Sequence, residues 1–177
     1  PRAATLRPTP STPHADCCPV PPTLDRKGQR SVSEPESVST VPRPQGRYVP
    51  AVVHDGIAYS AGMTPRRDGV LTVTGVVGRD LDIPRAREAA GLAARNAIAA
   101  VAAAVGGTAA ISRCLRMSVF VACAPDFREL SAVADGASDV LVECLGPAAL
   151  PVRSAIGVYA LPSGAPVEIE LTVAVSA

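Results

Sequence analysis

Histidine is nearly missing: the 177 residues include only His14 and His54. A His-based zinc site or a Ser-His-Asp triad therefore has little to draw on. Aromatics are almost as scarce, at 3%, with no Trp, two Phe and three Tyr. Single-stranded nucleic acids stack on aromatic faces, so that class of partner loses support. No sign of charge dominates: 17 Lys and Arg face 16 Asp and Glu, for a net charge of +1. This balance argues against a basic nucleic-acid module and against an acidic tail protein. The cysteines are odd in number (Cys17, Cys18, Cys114, Cys123 and Cys144) and form no CxxC. That pattern is not a disulfide framework and not a paired metal site. Cys114, Cys123 and Cys144 lie among apolar residues and read as small core side chains, which suits a reducing cytoplasm. No uninterrupted apolar run approaches the roughly 20 residues of a membrane span. The nearest stretch, 86–105, is broken by Arg87, Glu88, Arg95 and Asn96.

What is present divides near residue 45. Residues 1–45 hold ten of the eighteen prolines and much Ser and Thr. Such a segment buries too little surface to offset its ordering entropy, so a disordered tail with extended polyproline stretches is expected. It has no apolar h-region of a secretory signal, and its lack of acids before Asp16 keeps a transit-peptide reading open. Residues 46–177 should form one domain, since hydrophobic residues make up 47% of the chain and charged ones 19%.

Within that domain, residues 48–53 and 57–61 read as a hairpin around His54-Asp55-Gly56, and 70–77 as a third strand or hairpin arm. Asp82 and Pro84 open a helix that should stop at Gly106-Gly107. Its stripe of Ala86, Ala90, Ala94, Ile98, Val101 and Val105 has helical spacing. A strand over 113–123 should put Leu115, Met117, Val119 and Val121 on one face. Asp126 should open a second helix to about Leu145, and 152–161 and 167–175 are the last strands. The order β-β-β-α-β-α-β-β is an α+β domain with one sheet and two helices on one face. The final strand alternates Val167, Ile169, Leu171 and Val173 with Glu168, Glu170 and Thr172. Giving the all-apolar sides to the helices leaves Arg153, Glu168, Arg116 and Phe120 on the other sheet face. A mixed face of that kind suits self-association around a polar cleft; a plain solvated face is the alternative.

Residues 153–158 (RSAIGV) and 161–170 (LPSGAPVEIE) resemble the C-terminal signature of the Rid, or YjgF-like, reactive intermediate deaminases. Residues 46–51 (GRYVPA) resemble that family's opening strand, 60–62 (SAG) its pocket loop and 124–127 (APDF) the start of its second helix. Residues 135–139 (DGASD) followed by Gly146 resemble a longer-loop branch. The resemblance spans about 46–175. It implies a chorismate-mutase-like fold, a homotrimer with clefts between subunits, and hydrolysis of 2-imino or enamine acids to 2-oxo acids and ammonia. It implies no metal and no organic cofactor. By the same resemblance Arg153 would anchor the substrate carboxylate, and Glu168 would activate water and relay a proton. Tyr48, Ala61, Gly62 and Ala155 would line the pocket.

The chain also departs from that pattern. Ala61 stands where a pocket hydroxyl is usual unless Ser60 shifts in, Ala155 where Cys is frequent, Pro151 where the branch often has His, and Asp135 where it often has Asn. Three other readings therefore stay open: a ligand-binding or regulatory trimer without turnover, a tailoring enzyme acting on an unusual enamine, and an endoribonuclease. The expected partners are an imino or enamine acid, or another carboxylate, and further copies of the chain. A membrane is not expected, and the near-neutral charge speaks against nucleic acid.

Overall fold

A computed structural model describes residues 43–176; the expected N-terminal tail lies outside the described residues except at its last three positions. Helix α1 (Ile83–Val105) begins where Asp82 accepts the Arg85 N–H at 3.0 Å. It ends at Gly106, whose φ of 86° is left-handed and favours glycine. Its buried face is mostly alanine, so the backbone comes close to its neighbours. At 23 residues α1 is long and apolar enough, by length and composition, to cross a membrane, yet its apolar side packs against the sheet and the second helix.

Five strands form one sheet: β1 (Ala51–His54), β2 (Ile57–Ser60), β5 (Ile111–Ala122), β6 (Val152–Val158) and β7 (Val167–Val175), in the order β1-β2-β7-β5-β6. Only β5 and β6 run parallel, joined through α2 (Leu130–Leu145); the other pairs are antiparallel. Both helices cover one face, over a core that includes Met117, Val119, Val121, Leu141 and Ile169. This is the expected α+β, chorismate-mutase-like architecture. The helices cross at Gly91 and Gly136, where a Cβ on Gly136 would lie 2.8 Å from Arg87 Cα. Only a residue without a side chain fits there.

Four expectations need correction. The third strand is not in the sheet: β3 (Arg66–Arg67) and β4 (Val70–Leu71) form a separate hairpin about Asp68-Gly69, whose φ angles are 53° and 82°. Val77 only bridges to Cys123 and Leu81. On β5 the register shifts between Cys114 and Arg116, so Cys114 is buried in place of Leu115. An inserted residue of this kind reverses which side chain faces inward, and alternation alone does not reveal it. Helix α2 starts at Leu130, because Asp126 lies inside a turn over 124–127 that is closed by the Phe127 N–H to Ala124 O, and 128–129 lead from it into the helix. The fourth concerns β6. Arg153 and Ala155 pair with Met117 and Val119, which face the helices, so Arg153 is on the helix side. Val152, Ser154 and Ile156 are on the open side. A two-residue period shows which residues share a face; the pairing register decides which face it is.

Asn96 is the one buried polar side chain among the described residues. Its amide nitrogen donates to the Thr64 and Arg66 carbonyls, both at 2.9 Å. Read in sequence as an interruption of an apolar run, it ties α1 to the segment that follows β2. That segment carries the pocket loop.

Candidate active site

The open sheet face can be followed row by row from the register. Val52, Tyr59, Thr172, Arg116 and Val152 run across all five strands. Next come Glu170, Ser118 and Ser154, then Glu168, Phe120 and Ile156. Four large apolar residues of this face are strongly exposed: Val52 at 49%, Tyr59 at 44%, Val152 at 67% and Ile156 at 42%. The polar members are partly engaged, with Arg116 Nη2 donating to Ser154 Oγ at 3.3 Å.

Glu168 projects from this face beside the loop that leaves β2. Met63 and Ile169 exchange backbone hydrogen bonds of 2.8 and 2.9 Å, which lay the loop along β7. Gly62 thereby comes against Glu168: a Cβ at Gly62 would lie 2.6 Å from the Glu168 Cδ. A side chain at position 62 would push the Glu168 carboxyl out of this position. Burial pushes the Glu168 carboxyl above the usual carboxylate range, and the neighbouring Glu170 charge pushes it the same way. Ser60 Oγ accepts the Leu171 N–H at 2.9 Å where the β2–β7 ladder ends. Ala61 is half-buried and donates its N–H to Pro50 O at 2.8 Å. Tyr48 is exposed before β1, and its hydroxyl accepts the Gln45 N–H at 3.2 Å.

Arg153 occupies a different place. Its Nη1 donates to Asp135 Oδ1 and Ser138 Oγ, both at 2.8 Å, and both partners lie on one face of α2. Nε and Nη2 take no hydrogen-bond partner among the described residues. The guanidinium is thus held at one corner, with a two-donor edge left over. Arg87 of α1 reaches the same acid, its Nη1 lying 3.7 Å from Asp135 Oδ2. Arg87 also donates to Asp139 at 2.7 Å and to the Ala132 carbonyl at 2.8 Å. Ala155 follows Arg153 on the helix side and is half-buried. The sheet itself separates Arg153 from Glu168, and β5 lies between their strands. Of the sequence-predicted residues, the structure brings together Gly62 and Glu168, with Ala61 next in the loop; it does not bring Arg153 to them within one protomer. The sequence pointed to Asp135 and Ser138 only within the DGASD stretch, with no link to Arg153, and to Arg87 only as an interruption of an apolar run. The i, i+3 spacing of Asp135 and Ser138 was the available signal.

A surface hollow of about 340 Å³ lies elsewhere, lined by Gly78, Asp126, Phe127, Arg128 and Glu129, and includes none of these residues. Among the described residues no group of three or more His, Cys, Asp or Glu is placed to hold a metal ion.

Residues 38–175 match the family model described as Endoribonuclease L-PSP. The chain belongs to this L-PSP family, the YjgF/Rid proteins. It is 33% identical over 131 residues to protein TCP17 of Trypanosoma cruzi, covering 73% of this chain and 82% of that one. The crystal structure of Atu1372 from Agrobacterium tumefaciens is similar at 38% identity and a TM-score of 0.71, over 73% of this chain and 82% of that one. YyfA of Yersinia pestis, a member of the Rid family, aligns at 26% identity and a TM-score of 0.55, over 78% and 97%. The L-PSP/Rid family includes deaminases and proteins named as endoribonucleases.

Proposed function

We propose that this L-PSP/Rid protein hydrolyses 2-imino or enamine acids to 2-oxo acids and ammonia, without a cofactor, in clefts completed between subunits of a homotrimer. The observation that carries the reading is the half-buried Glu168 carboxyl, raised in pKa and set against the bare backbone of Gly62. A carboxyl tuned upward is a stronger proton acceptor than an ordinary glutamate and can still hand the proton on to a leaving nitrogen. The imine carbon is already electrophilic, so positioning and one proton relay are sufficient.

In the proposed sequence an enamine first takes a proton on carbon and becomes the iminium ion, which is also the protonated form of the imine. Water adds to the C=N carbon as Glu168 takes one of its protons, giving the neutral carbinolamine. The adduct then collapses: Glu168 gives that proton to the amino nitrogen, the C–N bond breaks to release ammonia, and the hydroxyl returns its proton to Glu168 as the C=O forms. Atoms balance as imino acid plus water giving 2-oxo acid plus ammonia. The free Nε–Nη2 edge of Arg153 suits the substrate carboxylate. Because that edge lies across the sheet from Glu168, the carboxylate anchor would come from a neighbouring subunit. The exposed row of Val52, Tyr59 and Val152, with Ile156 beside Phe120, supports burial of the open face by further copies of the chain. Tyr48 and Ala61 would line the cleft from the loop side and Ala155 beside the anchor. A cytoplasmic setting belongs to the same reading, and Cys114 and Cys123 are free thiols.

The test generates imino acids with an amino-acid oxidase and follows their decay over a broad amino-acid panel. The wild type should accelerate decay, and Glu168→Gln should slow it by about 10²-fold or more. Tight ligand binding without acceleration would leave the binding-protein reading in its place. RNA cleavage that survives in both Glu168→Gln and Arg153→Ala would instead support the endoribonuclease reading.

A further inference from the structure

We propose that Asp135 is a specificity-determining residue that reduces the pull of Arg153 on anionic guests and thereby sorts substrates by charge. The inference rests on the reading that Arg153 receives the guest's carboxylate. Three observations converge on it. Asp135 Oδ1 already accepts from Arg153 Nη1 at 2.8 Å, so a carboxylate guest would be the second anion on one guanidinium. Arg87 does not restore a positive balance, because its Nη2 lies 2.7 Å from Asp139 Oδ2. The four groups Arg153, Asp135, Arg87 and Asp139 therefore sum to zero formal charge. Lastly, Arg153 has 23% of its side chain exposed and Asp135 49%, so a guest can reach the pair.

Ser138 shows that geometry does not demand this charge. Its neutral hydroxyl holds the same Nη1 at the same 2.8 Å. An amide at position 135 would accept the same hydrogen bond and keep the guanidinium oriented. What the carboxylate adds is repulsion toward a second carboxylate sharing the cation. The site is thus tuned to imino acids with a single carboxylate and an uncharged or cationic side chain, and against acidic side chains.

The experiment measures binding of pyruvate, its uncharged amide pyruvamide, and the dianion 2-oxoglutarate to the intact protein by calorimetry or ligand-observed NMR. Asp135→Asn should bind pyruvate about fivefold more tightly, gain more on 2-oxoglutarate and leave pyruvamide within about twofold. Asp139→Asn, on the same helix as Asp135, releases Arg87 from its own acid without touching Arg153, and should tighten pyruvate by clearly less than Asp135→Asn does, because the charge it removes is not on the guanidinium that receives the guest. Should the Asn variant not fold, Asp135→Ser removes the same charge and is read in the same way. If pyruvate and pyruvamide change alike, or Asp139→Asn gains as much, the inference is overturned. It also fails, with the anchor reading intact, if Arg153→Ala abolishes pyruvate binding while Asp135→Asn leaves it unchanged. Pyruvate binding that survives in Arg153→Ala removes the anchor and the inference together.

Discussion

At the scale of single residues, Glu168 and Arg153 are prepared in opposite ways. Glu168 sits half-buried against Gly62 with Glu170 on the same face, so its charged form is disfavoured. A carboxyl whose folded pKa exceeds its unfolded value of about 4.3 contributes its full stability below that value. That contribution is lost as pH rises through the folded pKa. Glu168→Gln does not titrate, so in urea melts it should gain stability over wild type from about pH 4 to about pH 7, and gain none at about pH 4. A constant offset across that range would mean that the carboxyl is not perturbed. Arg153 is instead tied down by two acceptors while an edge stays open. Arg153→Ala should raise KM for imino acids about tenfold or more, and leave Asp135, half-exposed, with Arg87 as its remaining cationic neighbour. That Arg153 and Glu168 are chemically distinctive was legible in the sequence, because a charge in an otherwise apolar strand stands out. Their separation was not, since alternation along β6 carries no information on which face meets α2.

At the scale of elements, close helix contact places the charged network. A Cβ on Gly136 would collide with the Arg87 backbone, at 2.8 Å from its Cα. Gly136→Ala should therefore push α1 and α2 apart and cost about 1–3 kcal/mol, measured by chemical denaturation. The same displacement should loosen Arg87 from Asp135 and Asp139. Asn96 plays the matching part toward the pocket loop. Asn96→Leu takes the amide donor away from the Thr64 and Arg66 carbonyls, the first of which keeps the Arg66 N–H, and should cost about 1–2 kcal/mol. Helix α1 was readable almost to its ends, because Asp82, Pro84 and Gly106 each mark a boundary for a physical reason. Helix α2 was misplaced at its start because Asp126 is an equally good turn former, and the turn took it. Residues 70–77 divide similarly: Asp68-Gly69 closes a two-residue hairpin of which Val70–Leu71 is one arm, and the chain beyond Leu71 meets the sheet only at Val77, whose N–H donates to Ala122 O at the end of β5. The bulge at Cys114 left no mark in the alternation of the residues beyond it.

At the scale of the whole molecule, one sheet face is covered by helices and the other exposes Val52, Tyr59, Val152 and Ile156. Burial of that face by further copies would remove this apolar surface from water and bring the edge strand β6 of one subunit toward a neighbour. Light scattering should give the mass of three chains. Ile156→Glu, which sets a charge beside Phe120, should shift the population toward monomer and lower activity with it. A trimer of unchanged stability in that variant would place the interface elsewhere.

The central claim is that Glu168 and Arg153 act on one substrate from different subunits. Subunit mixing tests it most directly. Glu168→Gln and Arg153→Ala, each reduced to about a tenth of the wild-type rate or less at substrate below KM, are unfolded together in equal amounts, refolded into mixed trimers and assayed at that substrate level. A shared site joins the intact Glu168 of one chain to the intact Arg153 of its neighbour, and random assembly should restore about a quarter of wild-type activity. No recovery in trimers shown by mass to be mixed would contradict the account.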